Sequence, residues 1–329
     1  MPSANSEARV IQSLIRAFPA GLRQPQLVTG IGDDCAIVRV APGRLWAIST
    51  DAFHEGVHFL PRIHAPADVG YKALARAVSD LAAVGARPRY FLMNIALGRS
   101  SNAVWLGKFS RGMARAAREF GIVLIGGDTT RSASGGFSAN LTVIGELTGY
   151  QPILRRGARR GDILFLSGIA GAAQLGLELA RRGHRSAKSR RVMARHLRPL
   201  PRLALGAWLA QKKLATAMID TSDGISTDVG NLCAASGVGA VLVRDRLPIV
   251  QIPAALQALR LNPYELALHG GDDYELLFSV SFRNAGKIPA HFKGVPLTRI
   301  GMVTAEKRIV LLEPRTSHRL KRGGWDPFR

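Results

Sequence analysis

Short apolar runs alternate with segments of helical period along this chain in two successive series, an order that admits only a mixed α and β architecture. In the first series Val10, Ile11, Leu14, Ile15 and Phe18 recur at three-to-four spacing until Pro19 ends the pattern, which predicts a helix. Residues 45–50 read as a strand closing on an aspartate, and 68–83 as a helix with Val69, Ala73, Ala77 and Leu81 on one face. Residues 90–97 read as a strand, 105–120 as a helix, 122–125 as a buried strand and 141–147 as another. An Arg-rich polar connector, 155–161, precedes the second series. Its strands fall at 162–167, 217–220, 238–243, 276–280 and 308–312, and its helices at 171–182, 200–212 and 226–235. At about 150 residues per domain, the length suits two domains. The connector predicts them over 1–150 and 151–329, and no short-period repeat interrupts either.

Composition narrows the function classes. With 47% apolar and 21% charged side chains, disorder is excluded as the main state. No run of about 18 apolar residues occurs, and the first residues carry Glu7 and neither a long apolar core nor a small-residue cleavage site. A soluble, unexported chain is expected. Cys35 and Cys233 are too few for a disulfide framework or a four-cysteine metal site, which suits a reducing cytoplasm. The 45 Lys and Arg against 23 Asp and Glu give a net charge of +22 and point to anionic partners, either nucleic acid or phosphorylated small molecules. Residues 181–202 concentrate nine of those cations without one acid. Only 6% of residues are aromatic, and no basic stretch is interleaved with rings as a single-strand binder requires.

In so basic a chain the acids are informative. Nine of the 23 fall in six compact clusters: Asp33-Asp34, Asp51, Asp80, Asp128, Asp220 with Asp223, and Asp272-Asp273. Several close an apolar strand, and nearly all adjoin Gly, Ser or Thr. Glycine lets backbone approach a phosphate, and hard carboxylate oxygens suit Mg²⁺ with its waters and substrate phosphates. Any one cluster also fits a turn or a helix cap; six together favour convergence. Converging carboxylates raise one another's pKa or demand a cation, and cations beside phosphates imply phosphoryl transfer.

Several mechanisms are excluded. The chain has no G-x-x-x-x-G-K-[ST], no kinase HRD or DFG set, no complete G-x-G-x-x-G and no G-x-S-x-G elbow. His54-Glu55-Gly56-Val57-His58 matches H-E-x-x-H literally, but it follows a strand, contains Gly56 and runs into Pro61, so the helix that zinc hydrolysis needs is not expected. One of these histidines at most is expected to face a ligand.

The motifs GIGDDCA (30–36), ISTD (48–51), GVHF (56–59), SDLAAVGARP (79–88), LIGGDTTR (124–131), LRRGARRGD (154–162), IDTSDGI (219–225) and GGDDYELLF (270–278) resemble those of thiamine-monophosphate kinases, in order and at matching spacing. The likeness runs from about residue 7 to the C-terminus. The wider superfamily includes aminoimidazole ribonucleotide synthetase, selenophosphate synthetase and a hydrogenase maturation factor. The Gly-Ile-Gly-Asp-Asp start, the lack of a reactive cysteine in a glycine-rich N-terminal loop and the ending Pro327-Phe328-Arg329 favour the kinase.

The resemblance implies an α+β fold of two mixed α/β domains of the aminoimidazole ribonucleotide synthetase-like type, with N-terminal domains pairing into a homodimer and the site in the cleft between halves. It implies a Mg²⁺ cluster on Asp33, Ser49, Thr50, Asp51, Asp80, Asp128, Asp220 and Asp223. It assigns ATP contacts to Gly127, Asp128, Arg155 and Ser222, and thiamine monophosphate contacts to His58, Asp272 and Trp325. Arg155 makes sense as a planar donor to phosphate, with Arg156, Arg159 and Arg160 either solvent-facing or able to substitute. An indole such as Trp325 suits a cationic thiazolium, although a tail tryptophan also serves simple packing. The implied reaction is in-line transfer from ATP to thiamine monophosphate, without a general base. Another superfamily enzyme with a different acceptor, or a basic nucleic-acid binder, is the competing expectation. The basic segment 181–202 and the Ser/Gly loop 132–140 depart from the pattern, and both are expected to lie away from the motifs as surface features.

Overall fold

The computed structural model describes residues 7–17, 24–99, 101–184 and 187–326; Phe18 of the expected first helix and the terminal Pro327-Phe328-Arg329 lie outside them. The first half contributes α1 (Glu7–Ala17), β1 (Leu27–Thr29), β2 (Ala36–Ala41), β3 (Arg44–His54), α2 (Pro66–Ala83), β4 (Arg87–Leu97), α3 (Ala103–Phe120), β5 (Val123–Arg131) and β6 (Ser138–Thr148). The second half begins with β7 (Ile163–Ser167), α4 (Ala172–Arg181), α5 (Ala187–Leu197), α6 (Leu203–Gln211), β8 (Ala215–Asp220), α7 (Ile225–Ser236) and β9 (Gly239–Val243). It continues through α8 (Pro263–His269), β10 (Leu276–Val280), α9 (Phe282–Ala285), β11 (His291–Phe292), β12 (Val295–Thr304), β13 (Ile309–Leu312) and β14 (Ser317–Arg319). Among the described residues, six strands form one sheet in the order β1-β2-β3-β6-β4-β5. Eight form the other, β14-β13-β9-β12-β7-β10-β8 with β11 on β12. No described helix is long and apolar enough to cross a membrane.

Helix α2 is the element that positions the site. Pro66 starts it, where a missing N–H costs nothing. Leu74, Ala77, Val78 and Leu81 repeat at helical spacing and are wholly buried. The helix packs on β3 and β6 of its own half and on α5, α6 and β8 of the other. Its outer side meets α3 at backbone contact: a Cβ on Gly70 would stand 2.1 Å from the Phe109 carbonyl oxygen, and one on Gly112 would stand 1.8 Å from that of Ala67. Alanine at either position forces the two helices apart.

Three expectations change. Strand β3 runs past Asp51 to His54, because β6 pairs with it residue by residue from Thr148 to Ser138. The strand expected to be buried near 122–125 is instead an exposed edge: among the described residues β5 pairs only with β4, and Val123, Leu124 and Ile125 are 58%, 49% and 53% exposed. The basic segment contains a helix, α5, that sequence periodicity did not mark.

Candidate active site

Three carboxylates from distant parts of the chain meet beside α2. Asp34 precedes β2, Asp80 lies in the last turn of α2, Asp220 ends β8, and one oxygen of each lies within 4.8 Å of the others. The Arg155 guanidinium donates twice to Asp34 Oδ1, at 2.6 and 3.0 Å, whereas Asp34 Oδ2 is buried without a hydrogen-bond partner among the described residues. Ser49 Oγ donates to Asp80 Oδ2, and Ser79 Oγ to Asp220 Oδ2 at 2.6 Å. Burial, then the charges of Asp220, Asp34 and Asp51, pushes the Asp80 carboxyl well above the usual range. Burial and Asp34 raise Asp220 to about 7, and burial and Asp34 raise Asp33 to about 6. An orphan carboxylate oxygen among buried acids of raised pKa is a donor set suited to a hard divalent cation.

The other expected metal residues are distributed unequally. Asp33 lies next to the group and accepts the backbone N–H of Arg155 at 3.1 Å. Asp51 faces α2, 3.4 Å from Arg76. Strand alternation sends the Thr50 hydroxyl to the opposite face, where it accepts from Thr142 at 3.2 Å. Asp128 is three strands away from β3 in the sheet, in the row Ala52, Asn140, Asn94, Asp128. That row spans roughly 14 Å at about 4.8 Å per strand. Gly127, beside it, has a packing reason to be glycine, since its Cβ would stand 1.9 Å from the Met93 carbonyl oxygen. Arg155 is engaged with Asp34 while Arg156, Arg159 and Arg160 are exposed.

A second wall is built by backbone contact among three loops. Asp272 N donates to Ser222 O at 2.8 Å, Tyr274 N to Thr221 O at 2.9 Å, and Trp325 N to Asp223 O at 2.9 Å. Asp272 and Tyr274 hold positive φ angles of 69° and 51°, a conformation non-glycine residues adopt only where surroundings enforce it. This places Ser222, Asp223, Asp272 and the half-exposed indole of Trp325 on one wall.

His58 lies within electrostatic reach of Arg76, Asp272 and Lys72. Its Nδ1 accepts the His54 backbone N–H at 2.9 Å, and the ring stacks on Phe53. Burial, with Arg76 nearby, lowers its pKa to about 3. The neutral ring therefore carries its proton on Nε2 as a donor. Glu55 accepts the Phe137 N–H at 2.8 Å, and no helix spans 54–58, so the literal zinc-protease pattern has no zinc-binding geometry.

The chain matches the AIR synthase related protein N-terminal domain over residues 32–147 and the corresponding C-terminal domain over 159–312. The thiamine-monophosphate kinase of Buchnera aphidicola subsp. Schizaphis graminum is 35% identical over 308 residues, covering 92% of this chain and 93% of that protein. The chain belongs to the thiamine-monophosphate kinase family. The Escherichia coli K12 kinase is 39% identical over 289 residues, 84% of each chain. A structure of AaThiL complexed with AMPPCP and TMP superposes with a TM-score of 0.83 at 28% identity, over 98% of this chain and 96% of that one.

In this kinase-family chain the basic segment does touch a motif, contrary to expectation. Arg202 pairs with Glu275, Arg198 with Asp68 at 2.6 Å, and His196 Nδ1 stands 3.4 Å from Asp272 Oδ2. Lys72, wholly buried, donates to Asp272 Oδ2 at 2.7 Å, and Tyr274 donates to Oδ1 at 2.8 Å. Behind His196 stands His64, the two Nε2 atoms 2.9 Å apart. Leu60 N–H donates to His64 Nδ1 at 3.1 Å. The two rings line up behind Asp272, His64 against His196 and His196 against the carboxylate. Burial opposes ionisation of Asp272, but Lys72, His196 and Arg76 hold its pKa below the usual carboxylate range. Sequence reading placed Asp34 among the clustered acids but gave the metal to its neighbour Asp33, and it missed Lys72, Arg76 and His196. A signal for two of them existed: 68, 72, 76 and 80 are charged positions four apart in a mostly apolar helix.

Proposed function

We propose that this cleft transfers the γ-phosphoryl group of ATP to thiamine monophosphate, giving thiamine diphosphate and ADP. The observation that carries the reading is the trio Asp34, Asp80 and Asp220, with its orphan carboxylate oxygen, set among the family's motifs. These three, with Asp33, Ser49, Asp51 and Asp223 taken from the resemblance, would hold Mg²⁺; Thr50 and Asp128, which the resemblance also assigns, do not join this group, the first turning its hydroxyl to the far face of β3 and the second lying three strands away. Bound there, Mg²⁺ supplies positive charge against the phosphate oxygens. Gly127, Asp128, Arg155 and Ser222 are assigned to ATP. His58 Nε2–H donates to the thiamine phosphate, the Trp325 face receives the thiazolium, and Asp272 presents fixed negative charge. An oxygen of the acceptor phosphate attacks Pγ as the bond to the β–γ bridging oxygen breaks, and ADP leaves with that electron pair. A phosphate oxygen needs no base at neutral pH, so positioning and charge supply the rate. The exposed apolar edge of β5 supports pairing of N-terminal domains as a homodimer, and the two buried free thiols suit a cytoplasmic location. Incubation with ATP, Mg²⁺ and thiamine monophosphate should yield thiamine diphosphate; ATP turnover only with another acceptor rejects this substrate.

Two further outcomes are expected. His58→Ala should raise the Kd for thiamine monophosphate at least tenfold while changing that for ATP less than threefold, measured by calorimetry; the reverse pattern reassigns His58. The second concerns pH. Between about pH 4 and pH 7, folded Asp220 and Asp33 retain protons that the unfolded chain has released, so metal-free stability falls as pH rises through that window. Mg²⁺ must displace those protons. The rise in melting temperature on adding Mg²⁺ should therefore be larger at pH 8 than at pH 6, and an equal rise at both counts against the site.

A further inference from the structure

Lys72 and Asp80 of α2 have close partners that explain them; Arg76, one turn from each, is only loosely paired. Its side chain is 14% exposed, and its Nε is buried without a hydrogen bond among the described residues. The nearest carboxylate, Asp51, lies 3.4 Å from Nε and 3.5 Å from Nη2, beyond the 2.7–2.9 Å of a good charge-assisted bond. The guanidinium is held in place by the Phe53 ring, whose centroid is 5.4 Å away. Burial opposes its charge, but Tyr274, Asp51, Asp272 and Asp80 outweigh that effect and keep it cationic. These neighbours belong to both sides of the cleft, Asp51 and Asp80 to the acid group and Asp272 and Tyr274 to the acceptor wall. Arg76 therefore stands where the two meet.

A buried guanidinium with an unused donor is a costly arrangement unless an anion completes it. Its planar fork matches a tetrahedral oxyanion, and the site already reads as one that handles two phosphorylated molecules. We propose that Arg76 is a further phosphate-binding residue, gripping the phosphoryl group as it passes from nucleotide to acceptor. The inference rests on the phosphoryl-transfer reading above. Arg76 exchanges no proton: one P–O bond forms, one breaks, and the guanidinium stays charged throughout. Removing one such donor costs on the order of 10²–10³ in rate.

The test uses Arg76→Ala and Arg76→Lys in the full chain. For Arg76→Ala, kcat should fall about 10²–10³-fold, the KM for ATP should change less than threefold, and added guanidinium chloride should restore at least tenfold. Arg76→Lys should recover part of the rate. Pyrophosphate binding in the presence of Mg²⁺ should weaken at least tenfold in Arg76→Ala, whatever the acceptor. A kcat within threefold of wild type, a loss that neither guanidinium nor lysine rescues, or equal pyrophosphate binding overturns the assignment. Wild-type protein that binds pyrophosphate through Arg76 yet makes no thiamine diphosphate overturns the acceptor instead.

Discussion

Asp80→Asn should lower kcat at least 10³-fold, about 4 kcal/mol in activation free energy, and leave the fold intact. The two parts of this expectation have separate grounds. Asp80 is the central acid: its pKa is raised by burial and then by Asp220, Asp34 and Asp51, so it feels the carboxylates of both halves at once. Asparagine keeps its shape and removes the charge a divalent cation would meet. In metal-free protein that charge is already largely suppressed, and Ser49 Oγ can turn to keep a bond with the amide. The melting temperature without metal should therefore equal or exceed that of wild type, as is common where an active site carries unfavourable charge. The Mg²⁺-induced rise should vanish. Turnover within tenfold of wild type, with the Mg²⁺-induced rise retained, removes Asp80 from the metal site.

The site was legible in the sequence to different depths, and the reasons are physical. Strands such as β10 were found at their observed bounds because, in β10, four of the five residues are apolar and all five are buried on both faces, which leaves no competing period. That acids gather was legible from their clustering; which acids gather was not. Asp33 and Asp34 are adjacent, and only the backbone path after Gly32, with φ 112°, sends Asp34 toward Asp80 and Asp220. Thr50 sits between two residues that face α2, so period two alone excludes its side chain from that face once the strand is known to continue through it. His196 carried no local sign. Its partners, Lys72 and Asp272, lie 124 and 76 residues away in sequence, and only the docking of α5 on α2 brings them together. The basic segment looked like solvated charge for the same reason: nothing within 181–202 reveals that Arg198 and Arg202 have acids waiting in other elements.

Lys72→Met is expected to cost roughly 3 kcal/mol of stability, near the low end for breaking a buried ion pair. Lys72 is wholly buried, and its ammonium is the closest cation to Asp272, at 2.7 Å. Methionine fills the same volume, so the loss is electrostatic and not a cavity effect. The cost falls on Asp272, which keeps a negative charge in a partly buried place with Tyr274, His196 and Arg76 as its remaining support. Those neighbours, and the 28% exposure of the Asp272 side chain, hold the figure at the low end. Because Lys72 belongs to the first half of the chain and Asp272 to the second, the pair also ties the walls of the cleft together. Thiamine monophosphate should consequently bind more weakly, with a KM at least fivefold higher, while the KM for ATP changes little. Pairing Lys72→Met with Asp272→Asn separates these effects in a double-mutant cycle read by denaturant unfolding. If the unpaired charge is the cause, the second substitution recovers at least half of the lost stability but leaves substrate binding weak. Additive losses would mean that the two side chains act independently, and the ion pair would then have no part in holding the acceptor wall.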